Sequence, residues 1–515
     1  MTRNTLLLMG LIGVIGAIYL ATLREGQEWG DDFSLYVAHA RNIAEGRPYA
    51  DTGFIYNPAD PVLSPRTYPP IFPLLLVPVY LVFGINLTAM KVFVVFLFLL
   101  LLGVLAVLLH KRLPFPYVLG CLALFALNPF VWQQKDRLLS ETPFMLFAYL
   151  ALVLGEKAQE QTARGRALMW GLLAGMAIYL AFGTRTVGIV LVPSFLVCDW
   201  LRRRRIGMGS AAIVGVFLAG VAAQKGLLVV EGSYLDQLVF DPALYARIAF
   251  SLVRALGTFL DNGYSNDNGY SNAARLVLFG CLLAPAAWAY LARLRGGLRA
   301  QPQAAQGLTV CELFAFFNCL VLVFWPAAEY GLRFLLPILP LFFLWVAEGL
   351  HRLAATSLSR LEKPVAAGLA GAVLLSYAGW ISRADAGMIQ EGVSMPEAVA
   401  LFDWVRKETD SRDIFLFPKP RAFALYTRRH AVADQKADGP PRLTRTIRKH
   451  GVTHVVVHQP TSDRAFAKNG RLVEMVIAEN PSGFEKVYEN RAFRVYRLRS
   501  QGLARVSPPR FADCR

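Results

Sequence analysis

Charge is scarce in this sequence. Asp, Glu, Lys and Arg make up 17% of its 515 residues, where a soluble globular chain carries about 25%. The shortage is concentrated between positions 5 and 382, and it excludes an ordinary soluble fold there. Cysteine is also sparse. Cys121, Cys198, Cys281, Cys311 and Cys319 fall in or beside apolar runs, and Cys514 is alone in the tail. This spacing gives neither a disulfide framework nor a zinc-finger pattern. The first apolar stretch, Leu6 to Leu20, lacks a strongly basic start and a clear A-x-A cleavage site. It reads as a retained helix rather than a removed signal. Acidic residues are outnumbered, 36 against 53 Lys and Arg, for a net charge of +17. The excess does not point to nucleic acid. The basic residues form short clusters between apolar runs, where they set topology and meet anionic lipid head groups.

Long apolar runs are what the sequence has in abundance, at 55% hydrophobic residues. One is KVFVVFLFLLLLGVLAVLL, starting at Lys91. About 20 such residues cross a bilayer, and continuous rather than alternating runs mean helices, not barrel strands. The basic clusters near 110–112, 157–166, 202–205, 293–299 and 351–363, all placed on the cytoplasmic side, give one alternation. It predicts about eleven transmembrane helices, near 5–22, 88–109, 116–133, 139–155, 168–183, 187–201, 209–229, 275–293, 308–326, 334–350 and 364–382. The amino terminus is then inside and the carboxyl terminus outside. The run 71–85 contains Pro73 and Pro78 and would break the alternation, so it is expected as a juxtamembrane or re-entrant helix.

The expected fold is an α-helical polytopic membrane domain, residues 1–382, with an outer loop over 23–87. A small extracytoplasmic α/β domain follows over 383–515, its end after about 500 being flexible. In that tail a helix is expected over 396–408, and strands at Ile414–Phe417, Val452–Val457 and Arg494–Leu498. A second outer loop, 231–274, holds a tandem repeat, Asp-Asn-Gly-Tyr-Ser-Asn at 261–266 and again at 267–272. The repeat reads as turns in a tolerant loop. His430, His450, His454 and His458 show no metal spacing and are expected to serve the scaffold.

The chemistry concentrates in the first outer loop, in Trp29-Gly30-Asp31-Asp32-Phe33-Ser34-Leu35-Tyr36 and onward to Glu45-Gly46. From Asp32 to Glu45 the spacing is helical, with Gly46 as the stop. Asp32 at or near the N-cap is explained by capping alone. A second adjacent carboxylate, Asp31, is not.

The stretch Asp32-x-x-x-Tyr36, then Ala40-Arg41-Asn42-x-x-x-Gly46, then Tyr68-Pro69-Pro70, resembles the first loop of the GT-C glycosyltransferases. It is nearest the branch of protein O-mannosyltransferases and the lipid A aminoarabinose transferase. Arg137-Leu138-Leu139-Ser140-Glu141-Thr142, Gly183-Thr184-Arg185-Thr186 and Arg333-Phe334-x-x-Pro337-x-x-Pro340 resemble later motifs in the same order. Leu425-Tyr426-Thr427-Arg428-Arg429 is similar to a Tyr-Thr-Gly-Arg turn of related tails. One departure is Tyr68, where the aminoarabinose branch has lysine before its Pro-Pro pair; Arg66 lies nearby.

The resemblance implies a sugar donor on a polyprenyl phosphate, transferred with inversion to a hydroxyl acceptor on a glycan, lipid or protein. A carboxylate suits proton removal from a hydroxyl. Asp32 is the expected base, with Asp31 orienting the acceptor or a metal. Arginines suit the departing phosphate. Arg185 and Arg333, at outer helix ends, are the expected pair, with Arg137 third and Lys135 and Lys225 weaker. Glu141 is expected to meet the donor sugar, a metal or these arginines, or to serve only as a helix-start acid. Tyr68 and Arg66 complete the donor site, and a divalent cation stays open. The expected location is a bacterial inner membrane, with the site and C-terminal domain outside. A transporter or flippase of lipid-linked saccharides is the alternative. It would put its charges at the membrane midplane, between inverted repeats.

Overall fold

A computed structural model describes residues 2–60, 63, 65–227, 241–258, 272–298, 308–325, 333–357, 359–385, 387–459, 461 and 464–499. In chain order the first helices are α1 (Arg3–Ala21), α2 (Asp31–Ala44), α3 (Ile71–Phe83), α4 (Leu87–His110), α5 (Phe115–Ala126), α6 (Pro129–Gln133), α7 (Glu141–Glu160) and α8 (Arg164–Thr184). They continue with α9 (Leu191–Arg203), α10 (Met208–Leu227), α11 (Pro242–Thr258), α12 (Asn272–Leu298), α13 (Val310–Val323), α14 (Leu339–His351) and α15 (Glu362–Ile381).

Every one of the expected spans contains a helix, and the chain is a multi-pass membrane protein. Among the described residues, seven helices are long and apolar enough to cross a bilayer. The count becomes eight if α5 and the segment Pro129–Asp136, bent by 53° at their junction, form one span. The remaining three expected spans depart from this standard for local reasons. α7 has 20 residues but carries Glu141 at one end and Glu156, Lys157 and Glu160 at the other. α9 is cut to 13 residues by the 3-10 turn Thr186–Val190 before it. α13 has 14 residues. α11 falls inside the stretch expected as a loop. The tandem repeat lies outside the described residues except for Asn272, the first residue of α12.

α3 has 13 residues, about 20 Å of helix, against a hydrocarbon core of about 30 Å. It buries Ile71, Phe72 and Leu76 and leaves Leu81, Val82 and Phe83 exposed, as a helix lying at a membrane surface would.

α7 is the hub. Phe144, Ala148, Tyr149, Ala151 and Leu152 are all fully buried, and Tyr149 donates to the Pro337 carbonyl at 2.7 Å. At the far end of these helices from Glu141, a buried charge network ties five segments together. Arg112 pairs with Glu156 at 2.9 Å and with Glu312 at 3.3 Å. Arg293 grips Glu348 at 2.5 and 2.8 Å, and Trp345 donates to Glu312 at 3.0 Å.

The C-terminal domain holds α16 (Pro396–Glu408), β1 (Ile414–Leu416), α17 (Pro420–Thr427), β2 (His430–Val432), α18 (Pro440–Lys449), β3 (His454–His458), α19 (Arg464–Glu479), β4 (Phe484–Glu489) and β5 (Phe493–Leu498). The sheet order is β2-β1-β3-β5-β4, with parallel pairing of β1 to β2 and β3 and antiparallel pairing of β5 to β3 and β4. The predicted helix over 396–408 and the strands at 414, 454 and 494 are present. β2 and β4 were not expected.

The first loop completes this domain. Ala431 of edge strand β2 exchanges backbone hydrogen bonds with Gly53 and Ile55, at 3.0 and 2.9 Å, so the edge is covered. Val393 donates to the Gln27 carbonyl at 3.0 Å. Trp29 inserts among Phe402, Phe417, Phe466, Phe493 and His458, with ring centroids 5.3–6.2 Å away. The two parts of the chain thus share one hydrophobic core.

Candidate active site at the first-loop helix

α2 starts one residue earlier than expected. Gly30 takes the N-cap position and Asp31 opens the helix, so Asp32 is in the first turn rather than at the cap. There the positive end of the helix dipole faces its charge. The helix stops at Ala44, and Gly46 adopts φ +65°, the left-handed terminus that glycine makes easy. Asp32 and Tyr36, four apart, share one face of the helix.

Both Asp32 oxygens are engaged. Oδ1 accepts from the Tyr68 hydroxyl at 2.6 Å and Oδ2 from Arg333 Nη2 at 2.7 Å. Arg333 Nε donates to Glu141 Oε1. That oxygen also accepts from Arg185 Nη1 at 2.8 Å, and Arg185 reaches Ser140 Oγ at 3.2 Å. Asp32 from the first loop, Glu141 from the start of α7, Arg185 from the end of α8 and Arg333 from before α14 therefore form one continuous cluster. Glu141 Oε2 is buried with no hydrogen-bond partner among the described residues. Burial works to raise the Asp32 carboxyl, but Arg333, the Tyr68 hydroxyl and Arg421 together outweigh it and hold the group below the usual carboxylate range.

Tyr68 is itself held from both sides. Its backbone N–H donates to His39 Nε2 at 3.2 Å, and its carbonyl accepts from the Tyr49 hydroxyl at 2.7 Å. Burial pushes His39 down to about 3, so its ring is neutral at ordinary pH. With Nε2 accepting, Nδ1 donates to the Tyr49 carbonyl at 2.8 Å. The Tyr36 and Tyr68 rings lie 4.9 Å apart.

Other sequence-predicted residues lie elsewhere. Arg137 pairs with Glu28 at 3.1 Å. Lys135 pairs with Asp136 at 2.6 Å, and Asp136 accepts from the Arg24 backbone at 2.8 Å, a tie for the start of the first loop. Arg66 lines a cavity of about 580 Å³ with Asp51, Tyr56 and His430. Lys225 is exposed on the last turn of α10. The side chain of Asp31 is outside the described residues. His39, Tyr49 and Arg421 were missed. None carries a spacing signal, because each acts on Tyr68 from a separate part of the chain. No three His, Cys, Asp or Glu side chains gather as a metal-ligand set among the described residues. Asp32 and Glu141 already face Arg185, Arg333 and Arg421.

A polytopic helical part, a loop helix bearing a carboxylate, and a docked α/β domain make up a fold similar to that of solved GT-C glycosyltransferases. ArnT from Cupriavidus metallidurans, solved bound to undecaprenyl phosphate, is similar at a TM-score of 0.52 and 15% identity, over 96% of this chain and 97% of its own. The oligosaccharyltransferase AglB from Archaeoglobus fulgidus, in complex with an inhibitory peptide and a dolichol-phosphate, gives 0.58 at 11% identity, covering 98% of this chain and 76% of its own. The arabinofuranosyltransferase AftD from Mycobacteria gives 0.58 at 14%, with 97% of this chain matched to 40% of its own. No family model matches the chain, and no curated protein matches it by sequence.

Proposed function

We propose that this chain is a glycosyltransferase that moves a sugar from a polyprenyl-phosphate donor to a hydroxyl acceptor at the outer face of the membrane, with inversion. One observation carries the reading. A carboxylate from the first loop meets two arginines from distant helix ends in a single cluster. The undecaprenyl phosphate of ArnT and the dolichol-phosphate of AglB make a lipid phosphate the natural anion for such a site.

Arg333 is the pivot of the proposed chemistry. In the cluster it neutralises both Asp32 and Glu141. A donor phosphate entering beside it competes for the guanidinium, whose planar fork suits paired phosphate oxygens. As Arg333 turns to the phosphate, Asp32 Oδ2 loses its cation, and its affinity for a proton rises. The acceptor hydroxyl then meets a carboxylate able to take its proton while Arg185 and Arg333 hold the charge developing on the leaving phosphate. Attack opposite that phosphate inverts the anomeric carbon. Glu141 Oε2, buried and without a partner among the described residues, is the acceptor left for a donor-sugar hydroxyl. The orientation implied is an inner-membrane protein with this site on the periplasmic side.

The test compares lipid-linked sugars and envelope glycans in a deletion strain, its parent, and the strain carrying Asp32→Asn. The variant should insert normally and lose transfer by roughly 1,000-fold, within the range for a general base. Normal transfer by Asp32→Asn removes Asp32 from the chemistry.

A further inference from the structure

The C-terminal domain sends one group into the cluster that the chemistry above leaves unused. Arg421, on the first turn of α17, is 3% exposed. Its Nη1 donates to the Tyr68 hydroxyl at 2.8 Å and lies 3.9 Å from Asp32 Oδ1. Its Nη2 donates to the carbonyls of Leu63 and Pro65, the latter at 3.0 Å. The guanidinium also lies over the Phe54 and Tyr68 rings, at 4.9 and 5.2 Å. The fork is therefore fixed by the first loop on three sides.

This arrangement decides where one proton goes. A guanidinium has donors and no acceptor. The Tyr68 oxygen must accept from Arg421, and its single O–H is then left for Asp32 Oδ1. Without that neighbour, the O–H can flip to its other in-plane orientation and the oxygen can accept from elsewhere. With Oδ1 held by an aimed O–H, the carboxylate plane is set and Oδ2 is the oxygen that faces Arg333.

We propose that Arg421 is a positioning residue for the transfer reaction: it directs the Tyr68 hydroxyl onto Asp32 and so aims the basic oxygen, which makes the C-terminal domain part of the reaction centre. This rests on Asp32 being the base. The docking contacts agree with it. Trp29, three residues before Asp32, is buried in the C-terminal domain, so the same domain fixes both the segment leading into Asp32 and the hydroxyl bonded to it. Among the described residues, the charged and titratable groups around Asp32 are Arg333 before α14, Tyr68 in the first loop, Arg421 on α17 and Tyr36 on its own helix, with Glu141 and Arg185 beyond Arg333.

Two measurements on the full chain test this with Arg421→Met, Arg421→Lys and Tyr68→Phe. The last keeps the ring and removes only the hydroxyl, so it covers the case in which Arg421→Met fails to fold. The first measurement follows carbodiimide labelling of the Asp32 carboxyl by mass spectrometry against pH. The midpoint is read rather than the plateau, because the plateau also reports access. Wild-type Asp32 should label only at the acid end. Arg421→Met and Tyr68→Phe should each move the midpoint up toward about 4, the ordinary aspartate value, and Arg421→Lys should hold it low. Unmoved midpoints in both Arg421→Met and Tyr68→Phe overturn the proposal. The second measurement is sugar transfer in the complemented deletion strain. Arg421→Met and Tyr68→Phe should lose at least about tenfold at normal protein level; full transfer by both also overturns it. If the wild-type chain transfers no sugar, the transfer reading fails, while the labelling result still judges the coupling of Arg421 to Asp32.

Discussion

Arg333 holds two carboxylates at once, and that double engagement shapes what its loss should do. Arg333→Ala leaves Glu141 and Asp32 facing each other with less compensation and removes the proposed phosphate ligand. It should lower donor kcat/KM by about 100-fold, or about 2.7 kcal/mol. Arg185→Ala removes the bonds to Glu141 and Ser140 and should raise donor KM by about tenfold with a smaller change in kcat. Steady-state kinetics with donor and acceptor varied separately check both, and an effect confined to the acceptor counts against the phosphate role. The Asp32 carboxyl is held low in the folded chain. Its stabilising pairing is present above the ordinary aspartate value, about 4, and is lost as pH falls toward its depressed folded value. The acid side of the kcat/KM profile should therefore stay flat down to about pH 4. An acid limb nearer neutrality would mean that a different group is the base. That Asp32, Glu141, Arg185 and Arg333 come together was legible from the order of the motifs that resemble the GT-C glycosyltransferases and from arginines placed at helix ends. Arg421 was not. It looks like any arginine in a soluble tail, and its partner Tyr68 is 353 positions away.

At the scale of elements, the first loop and the C-terminal sheet are built against each other with little clearance. A Cβ on Gly392 would sit 1.9 Å from the Gln27 carbonyl oxygen and 3.1 Å from the Glu28 Cα, both backbone atoms that cannot swing aside. Gly392→Ala should weaken docking of the C-terminal domain by about 1–3 kcal/mol, the usual cost of overpacking. Faster proteolysis between α15 and α16, with membrane insertion unchanged, would register it. Another local feature explains a departure in sequence. Arg428 closes α17 at φ +57°, at the position where the Tyr-Thr-Gly-Arg turn has glycine. The strain it bears is about 1 kcal/mol. Helix α16 and strands β1, β3 and β5 were legible from amphipathic spacing and from runs of β-branched or aromatic residues. β2 was not, because three residues, His-Ala-Val, give too short a run. In β4, Phe-Glu-Lys-Val-Tyr-Glu mixes charge into both faces of an edge strand. The start of α2 was misjudged by one residue because glycine caps a helix without a side chain, leaving Asp32 free for partners outside the helix.

For the whole molecule, the two ends of the helical bundle do different jobs with the same residue types. The cluster around Arg333 is partly open, with the arginine and Asp32 side chains 27% and 28% exposed. The network around Glu312 is closed, with Glu312 at 0% and Arg112 at 8%. Closed pairs serve as anchors, and removing one partner strands a buried charge. Arg112→Met should cost about 3–5 kcal/mol, read as a lower melting temperature and yield in detergent, with the donor KM of the surviving protein unchanged. Apolar length placed a helix in each of eleven expected spans, but among the described residues only seven helices, or eight with the bent pair, are long and apolar enough to cross. Which spans are short or bent was not readable from it, since that depends on buried partners such as Glu156 and Glu312 that only packing reveals.

The pairing of Gly53 and Ile55 with Ala431, and of Asn57 with Ala433 across 376 positions, carries a consequence for biogenesis. A ribosome finishes the carboxylate-bearing loop long before it makes the strand that this loop borders. Until the C-terminal sheet emerges and closes over that loop, the carboxylate stands without the neighbours that fix it. Under the transfer reaction proposed above, chemistry begins only once that sheet has docked, so an interrupted translation product has no means of consuming lipid-linked sugar.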